Sequence, residues 1–201
     1  MNINQKKLFD SAWEQKTNND YTICGSGSLL ASCNEWINLI NDANTDYNIK
    51  TINDIGCGDL NYIKHTNIDN CKIDYLGYDY VPRIKLSTEK FKINDKSFNI
   101  CTDVPRNCDL CICKDTLNHL DPKTQILSAI NNIKKTCKYL IITNYIKLYN
   151  NIANSNLNGN WIKINFNIEP YNLAPYLIRS LNVKHIRSEH NDIYVSLYKF
   201  N

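Results

Sequence analysis

Short apolar runs alternate along most of the chain with segments in which apolar residues recur at helical spacing. Ser28 is placed to cap a helix whose Leu29, Cys33, Trp36, Ile37 and Ile40 share one face. Thr51 to Ile55 predicts a short buried strand running directly into the turn Gly56-Cys57-Gly58. Lys72 to Tyr78 predicts a second strand ending at Asp79, and Ser97 to Cys101 a third ending at Asp103. Asp109 to Cys113 reads as a continuous apolar run, the pattern of a central strand covered on both faces. Asp121-Pro122 is a helix start, with Asp as N-cap and Pro in the first turn, and it turns Ile126, Leu127, Ile130 and Ile133 inward. Lys138 to Thr143 predicts a fifth strand. Such alternation implies parallel strands joined by right-handed crossovers.

The end of the chain changes character. Residues 150–175 are rich in Asn and carry Pro170 and Pro175, which predicts a long ordered loop. Loops of that length in compact domains usually serve function. Val183 to Arg187 and Ile193 to Phe200 predict two strands around a polar turn at 188–192. A hairpin closing five parallel strands departs from a plain dinucleotide-binding domain.

A length of 201 residues fits a single domain. The net charge of +3, with no dense basic stripe, argues against broad nucleic-acid binding. Nine cysteines are scattered through apparent core strands, not spaced as a disulfide framework, and the N-terminus lacks the apolar run of a signal peptide. No stretch approaches the ~20 apolar residues of a membrane span. Reduced thiols in a cytoplasmic protein, with no membrane partner, is the expectation. Cys108-x-x-Cys111-x-Cys113 has no second pair to complete a zinc site, so these thiols read as buried strand residues.

The chemistry concentrates after the first strand. Gly56-x-Gly58 lets the backbone turn sharply and lets a ligand approach the main chain. Asn61 occupies the place of a third dinucleotide-binding glycine, which argues against a pyrophosphate site. The carboxylates of Asp54 and Asp59 suit a cationic ammonium group and repel a diphosphate. Asp79 is placed to accept hydrogen bonds from ribose hydroxyls, and Asp103 to accept one from an adenine amine.

Asp54-Ile-Gly-Cys-Gly58-Asp-Leu-Asn61-Tyr62 resembles the first motif of class I, Rossmann-like, S-adenosylmethionine-dependent methyltransferases. Tyr75-Leu-Gly-Tyr-Asp79 is similar to their second-strand motif, and Asp109-Leu-Cys-Ile-Cys-Lys-Asp115-Thr-Leu-Asn-His119-Leu to their fourth. One subgroup shares a D-x-G-C-G-D-x-N-[WY] turn preceded by a Gly-Ser motif, matched here by Gly25-Ser26-Gly27-Ser28. Gly159-Asn-Trp161-x-x-x-Asn165 and Pro170-Tyr171-x-Leu173-x-Pro175 are similar to a segment after that subgroup's fifth strand. The matches span about residues 20–200.

The resemblance implies an α/β fold with a seven-stranded, mostly parallel sheet, an antiparallel last strand and helices on both faces. It implies S-adenosyl-L-methionine as cofactor and S-adenosyl-L-homocysteine as product. Asp54, Gly56, Cys57, Gly58, Asp59, Asn61, Tyr62, Asp79, Tyr80, Asp103 and Lys114 become the expected cofactor contacts. Lys114 stands where the subgroup often has Arg, so the charge is kept and the bidentate fork lost. Residues 1–27 become an N-terminal arm or lid, and 150–175 a loop on the acceptor side.

For chemistry, Asp115 and His119 lie four residues apart just past the fourth strand, and a helical turn there would set both on one face. Either is then a candidate general base for a hydroxyl acceptor. The alternative is that Asp115 caps the turn and His119 packs against the next loop. A divalent metal on this pair that orients a diol is a lesser alternative, because the site lacks a third ligand. Asn144, Tyr145, Trp161 and Tyr171 are candidate acceptor contacts. The expected acceptor is a small molecule or glycan hydroxyl. Methylation of RNA ribose or cap, or of protein, is the alternative, and an inactive cofactor-binding scaffold the second. Lys-Asp-Thr-Leu after the fourth strand, in place of Asn/Asp-Pro-Pro-aromatic, argues against methylation of base amines.

Overall fold

The computed structural model describes residues 22, 24, 26–81, 84–122, 124–149, 161–184 and 192–200. Residues 1–21 of the expected N-terminal arm, Gly25, residues 150–160 of the expected loop with Gly159, and 188–191 of the expected turn therefore lie outside the described residues.

Seven strands form one sheet: β1 (Thr51–Ile55), β2 (Asp74–Tyr78), β3 (Phe91–Ile93), β4 (Cys108–Cys113), β5 (Cys137–Asn144), β6 (Leu177–Asn182) and β7 (Tyr194–Lys199). Their order is β3-β2-β1-β4-β5-β7-β6. The first five run parallel, and β7 lies antiparallel to both its neighbours. The sheet is flanked by α1 (Asn34–Tyr47) and α2 (Ile126–Thr136).

Strand residues alternate between faces, and here both faces are apolar. Ile52, Leu110, Ile112, Ile141, Val195 and Leu197 pack in one core with Trp36, Leu39, Ile40 and Ala43 of α1. Ile55, Cys111, Cys113, Leu140, Ile142 and Tyr198 pack in the other with Ile126, Ala129, Ile130 and Ile133 of α2. Helices on both faces follow from that pattern. The chain leaves β1 for β2 on one side while β4 pairs on the other, so the order reverses at the C-terminal ends of β1 and β4. Open α/β sheets bind ligands at such a crevice.

Several elements differ from expectation. The third strand is Phe91–Ile93, with Phe91 paired to Tyr75, and not Ser97 to Cys101. Phe98 and Ile100 are buried, but side-chain bonds from Asn99 and Asp103 to nearby amides fold their backbone into a turn. The sixth strand is Leu177–Asn182, ahead of the expected Val183 start, and Val183 only extends the ladder through its N–H to Ile193 O. Residues 185–187 are outside the described set.

Ser28 does not cap α1; it ends a 3-10 turn, Ser26–Ser28, and Cys33 is the N-cap. Asp121 caps a turn one step before α2, accepting the Thr124 N–H on its carboxylate and the Gln125 and Ile126 N–H groups on its carbonyl. That turn delays the helix to Ile126 and leaves Leu127 41% exposed. The expected long loop is partly core: Ile162, Ile164, Phe166, Tyr171 and Leu173 are buried on the α2 face. Among the described residues, no helix is long and apolar enough to cross a membrane.

Candidate active site

The turn after β1 owes its shape to two glycines in the left-handed region, Gly56 at φ 76° and Gly58 at φ 56°. The Gly56 and Cys57 N–H groups both donate to Tyr78 O, and the Gly58 N–H donates to Asp79 Oδ2 at 3.0 Å. Thr116 Oγ1 lies 2.9 Å from Ile55 O and 3.0 Å from Lys114 O, bridging the ends of β1 and β4. A Cβ on Gly56 would run into Thr116, and one on Gly58 would lie 2.5 Å from Cys24 Sγ. Backbone conformation and space both require glycine at these positions. Asp79 also accepts the Val81 N–H, and its carbonyl accepts that of Phe98. Half-buried Tyr80 follows, its carbonyl accepting the Ser97 hydroxyl at 2.7 Å.

Asp54 lies beneath the turn with no solvent exposure. Its Oδ2 accepts from Tyr75 at 2.8 Å and from Tyr62 at 3.4 Å, while Oδ1 is buried with no hydrogen-bond partner. Burial pushes this carboxyl up to about 7. A buried, unsatisfied carboxylate oxygen fits a cationic group arriving from the crevice. Tyr62 and Cys57 were expected to contact a cofactor, yet both side chains are core. The Tyr62 ring packs on Trp36, and a Cβ on Gly77 would lie 2.7 Å from Cys57 Sγ. Cys57 serves through its backbone.

Asp59 and Asn61 point to the N-terminal segment. Asp59 accepts the Thr22 hydroxyl at 2.6 Å and the Asn61 N–H at 3.1 Å, and the Asn61 amide donates to Ser28 O at 2.8 Å. Lys114 is buried, with Nζ donating to Gly27 O at 2.8 Å and paired with Asp115.

Asp115 and His119 do not share a helical face. Asp115 is left-handed at φ 57°, and the 3-10 turn begins only at Leu117. Thr143 and Lys114 hold its two carboxylate oxygens. His119 meets Trp161 edge to face, with ring centroids 5.3 Å apart, and Trp161 Nε1 donates to the Tyr145 hydroxyl at 2.8 Å. These three rings are brought together at the ends of β4 and β5. The wall they form is stitched in place by Ile162 N–H to Asn118 O, the Asn118 amide to Ile162 O, and Tyr145 N–H to Ile164 O.

Two expected acceptor contacts are internal struts. Asn144 is fully buried, bonding Tyr198, Ser196 and the Tyr145 and Phe166 N–H groups. Tyr171 is buried against Phe166, and its hydroxyl donates to Pro122 O. Asp103 ends no strand. It holds a local turn before β4 by accepting the Asn99 N–H, and its carbonyl faces Asn132 of α2. The acid directly after β3 is exposed Asp95, next to Asn94, whose N–H donates to Gly77 O. Sequence reading missed it because the third strand was placed too late. Nothing in the sequence flagged Thr116, Thr143 or Trp36 as parts of the site.

Among the described residues no His, Cys, Asp or Glu group of three converges to hold a metal ion. No protein-family model and no curated protein matches the chain. Solved structures do. The N-methyltransferase NodS from Bradyrhizobium japonicum WM9, in complex with S-adenosyl-L-homocysteine, matches at TM-score 0.65 and 14% identity over 98% of both chains. The fold is that of the Rossmann-like methyltransferases. The methyltransferase domain of bacterial CtHen1 matches this fold at TM-score 0.59 and 15% identity, over 83% of this chain and 97% of its own. An O-methyltransferase family protein from Burkholderia thailandensis matches at 0.58 and 10%, over 98% of this chain and 59% of its own.

Proposed function

We propose that the protein is an S-adenosylmethionine-dependent methyltransferase acting on a hydroxyl of a small molecule or glycan. The carrying observation is the left-handed glycine turn set between Asp79 and the unsatisfied oxygen of Asp54. Gly56 and Gly58 present backbone to the methionine part, Asp54 faces its ammonium, and Asp79 holds the ribose. Asp95, not Asp103, takes the adenine side, because it follows β3 directly. The bound cofactor supplies a methyl group on a sulfonium, ready for in-line displacement.

The protein's part is then alignment, desolvation and handling of one proton. Asp115 is committed to Thr143 and Lys114, which leaves His119 as the base that accepts the acceptor's proton on its imidazole. Trp161 walls the acceptor side, held by the hydroxyl of buried Tyr145; an aromatic ring of this kind suits the apolar face of a sugar. Nine free cysteines fit a reducing, cytoplasmic compartment.

Titration with S-adenosylhomocysteine tests the cofactor, and a methyl-transfer screen across nucleotide sugars, glycans and capped RNA tests the acceptor. Binding followed by transfer to a sugar hydroxyl is the expected result. Preference for a nicotinamide cofactor overturns the first half, and transfer only to RNA overturns the second.

A further inference from the structure

Lys114 is a cation in a place that does not welcome one. Its side chain is 4% exposed, and Nζ lies 5.7 Å and 5.8 Å from the ring centres of Trp36 and Tyr62. Burial by itself lowers its pKa, but the Asp115 carboxylate together with the neighbouring Cys33 and Cys24 outweighs this, so the net shift is upward and the charge stays. An ammonium is held in such a site only when its partners compensate the lost water.

One of those partners is remote in sequence: the carbonyl of Gly27, which the Cys33 thiol also approaches at 3.4 Å. Gly27 is a place of close approach, since a Cβ there would lie 3.0 Å from Asp115 Oδ2. The same segment is tied twice more to the turn after β1, by Thr22 to Asp59 and by the Asn61 amide to Ser28 O. Cys24 sets its sulfur against Gly58, where no side chain stands in the way. Every tie lands on the proposed cofactor turn or on the end of β4 beside it.

We infer that Lys114 is a positioning residue that latches residues 26–33 beside the cofactor turn and sets how long the cofactor stays bound. It touches neither the acceptor nor the reacting atoms. Asp115, in this arrangement, is the counter-charge that keeps the latch cationic. The residence-time half rests on the proposed cofactor; the latch itself does not.

The test is amide hydrogen exchange read by mass spectrometry over residues 26–33, with the release rate of S-adenosylhomocysteine measured by stopped flow. Wild type is compared with Lys114→Met, which keeps the stem between the two rings, with Gly27→Ala, which pushes from the segment's side, and with Lys114→Arg. Exchange over 26–33 and cofactor release are expected to rise roughly tenfold or more in the first two, from loss of a charge-assisted hydrogen bond. Lys114→Arg restores most of both, and the KM for the acceptor stays within about twofold. Unchanged exchange over 26–33 in a folded variant overturns the latch. So does a rise spread equally over β4 and β5, which marks a merely structural role. Faster exchange with unchanged release overturns the residence-time half. If wild type fails to bind S-adenosylhomocysteine, the proposed function falls and exchange still decides the latch. If Lys114→Met does not fold, Gly27→Ala decides.

Discussion

Thr143 holds Asp115 at two points, its hydroxyl oxygen accepting the Asp115 N–H at 2.8 Å and donating to Asp115 Oδ1 at 2.6 Å. The contact joins the end of β4 to β5, its neighbour in the sheet. It holds Asp115 in a left-handed conformation that is uncommon for residues with a Cβ, Asp and Asn being the more tolerant ones. With the other oxygen on Lys114, the carboxylate is part of the scaffold.

That assignment separates two residues of similar chemistry. His119→Asn is expected to lower single-turnover methyl transfer by about 10²–10⁴-fold with little change in S-adenosylhomocysteine affinity. Asp115→Asn keeps a partner for Thr143 and is expected to cost less than roughly tenfold in the same step. Equal losses in both variants would return the base role to Asp115.

Asp54 makes binding and stability respond oppositely to pH. Its folded carboxyl sits at about 7, above the ordinary value of 3.8, so the folded state holds an extra proton between these limits. Its contribution to stability therefore falls as pH rises through that window. Affinity for the ammonium-bearing cofactor runs the other way, tightening from about pH 5.5 to about 6.7 as Asp54 begins to ionise, below the range where an α-amino group titrates. Titrations of wild type and Asp54→Asn across that range check both slopes. Asp54→Asn is expected to bind more weakly and to flatten both.

Gly56 faces two separate constraints, and they can be pulled apart. Gly56→Ala is expected to destabilise the fold by at least ~1–2 kcal/mol from the left-handed backbone alone, with the collision against Thr116 added. Thr116→Gly by itself loses the hydroxyl bridge to Ile55 O and Lys114 O, so the collision is read as the coupling between the two changes, with the double variant expected to be more stable than the sum of the single losses. Urea unfolding of both single variants and the double variant measures it.

Asn144 tests a reassignment from acceptor contact to strut. Its side chain serves two backbone N–H groups, Tyr198 and Ser196. Asn144→Ala leaves these buried groups unsatisfied and is expected to cost about 2–4 kcal/mol of stability. The acceptor KM of the surviving folded protein is expected to stay near wild type. A raised KM at unchanged stability would restore the acceptor role.

How much was legible follows from how local each signal is. β1, β2, β4, β5 and β7 were readable because apolar runs of strand length report burial on two faces directly. The third strand was misplaced because Phe98 and Ile100 are as buried as strand residues, while the true β3 is only three residues long with exposed Lys92 between Phe91 and Ile93. Tyr171 and Asn144 looked like acceptor contacts because an aromatic ring or an amide near a sheet edge carries no mark of which way it points.

The sequence by itself determined the glycine turn, the acid at the end of β2 and the layered α/β architecture. These depend on neighbouring residues: a positive φ needs glycine, and a strand shows its period in a few positions. The tertiary structure alone decided which charges meet. Lys114 finds Gly27 across 87 positions and Asp115 finds Thr143 across 28, and no local pattern encodes either encounter. Those contacts commit the Asp115 carboxylate and the Lys114 ammonium, a candidate base and an expected cofactor contact, to partners within the fold, because a buried charge takes whichever partners the packed fold brings within reach.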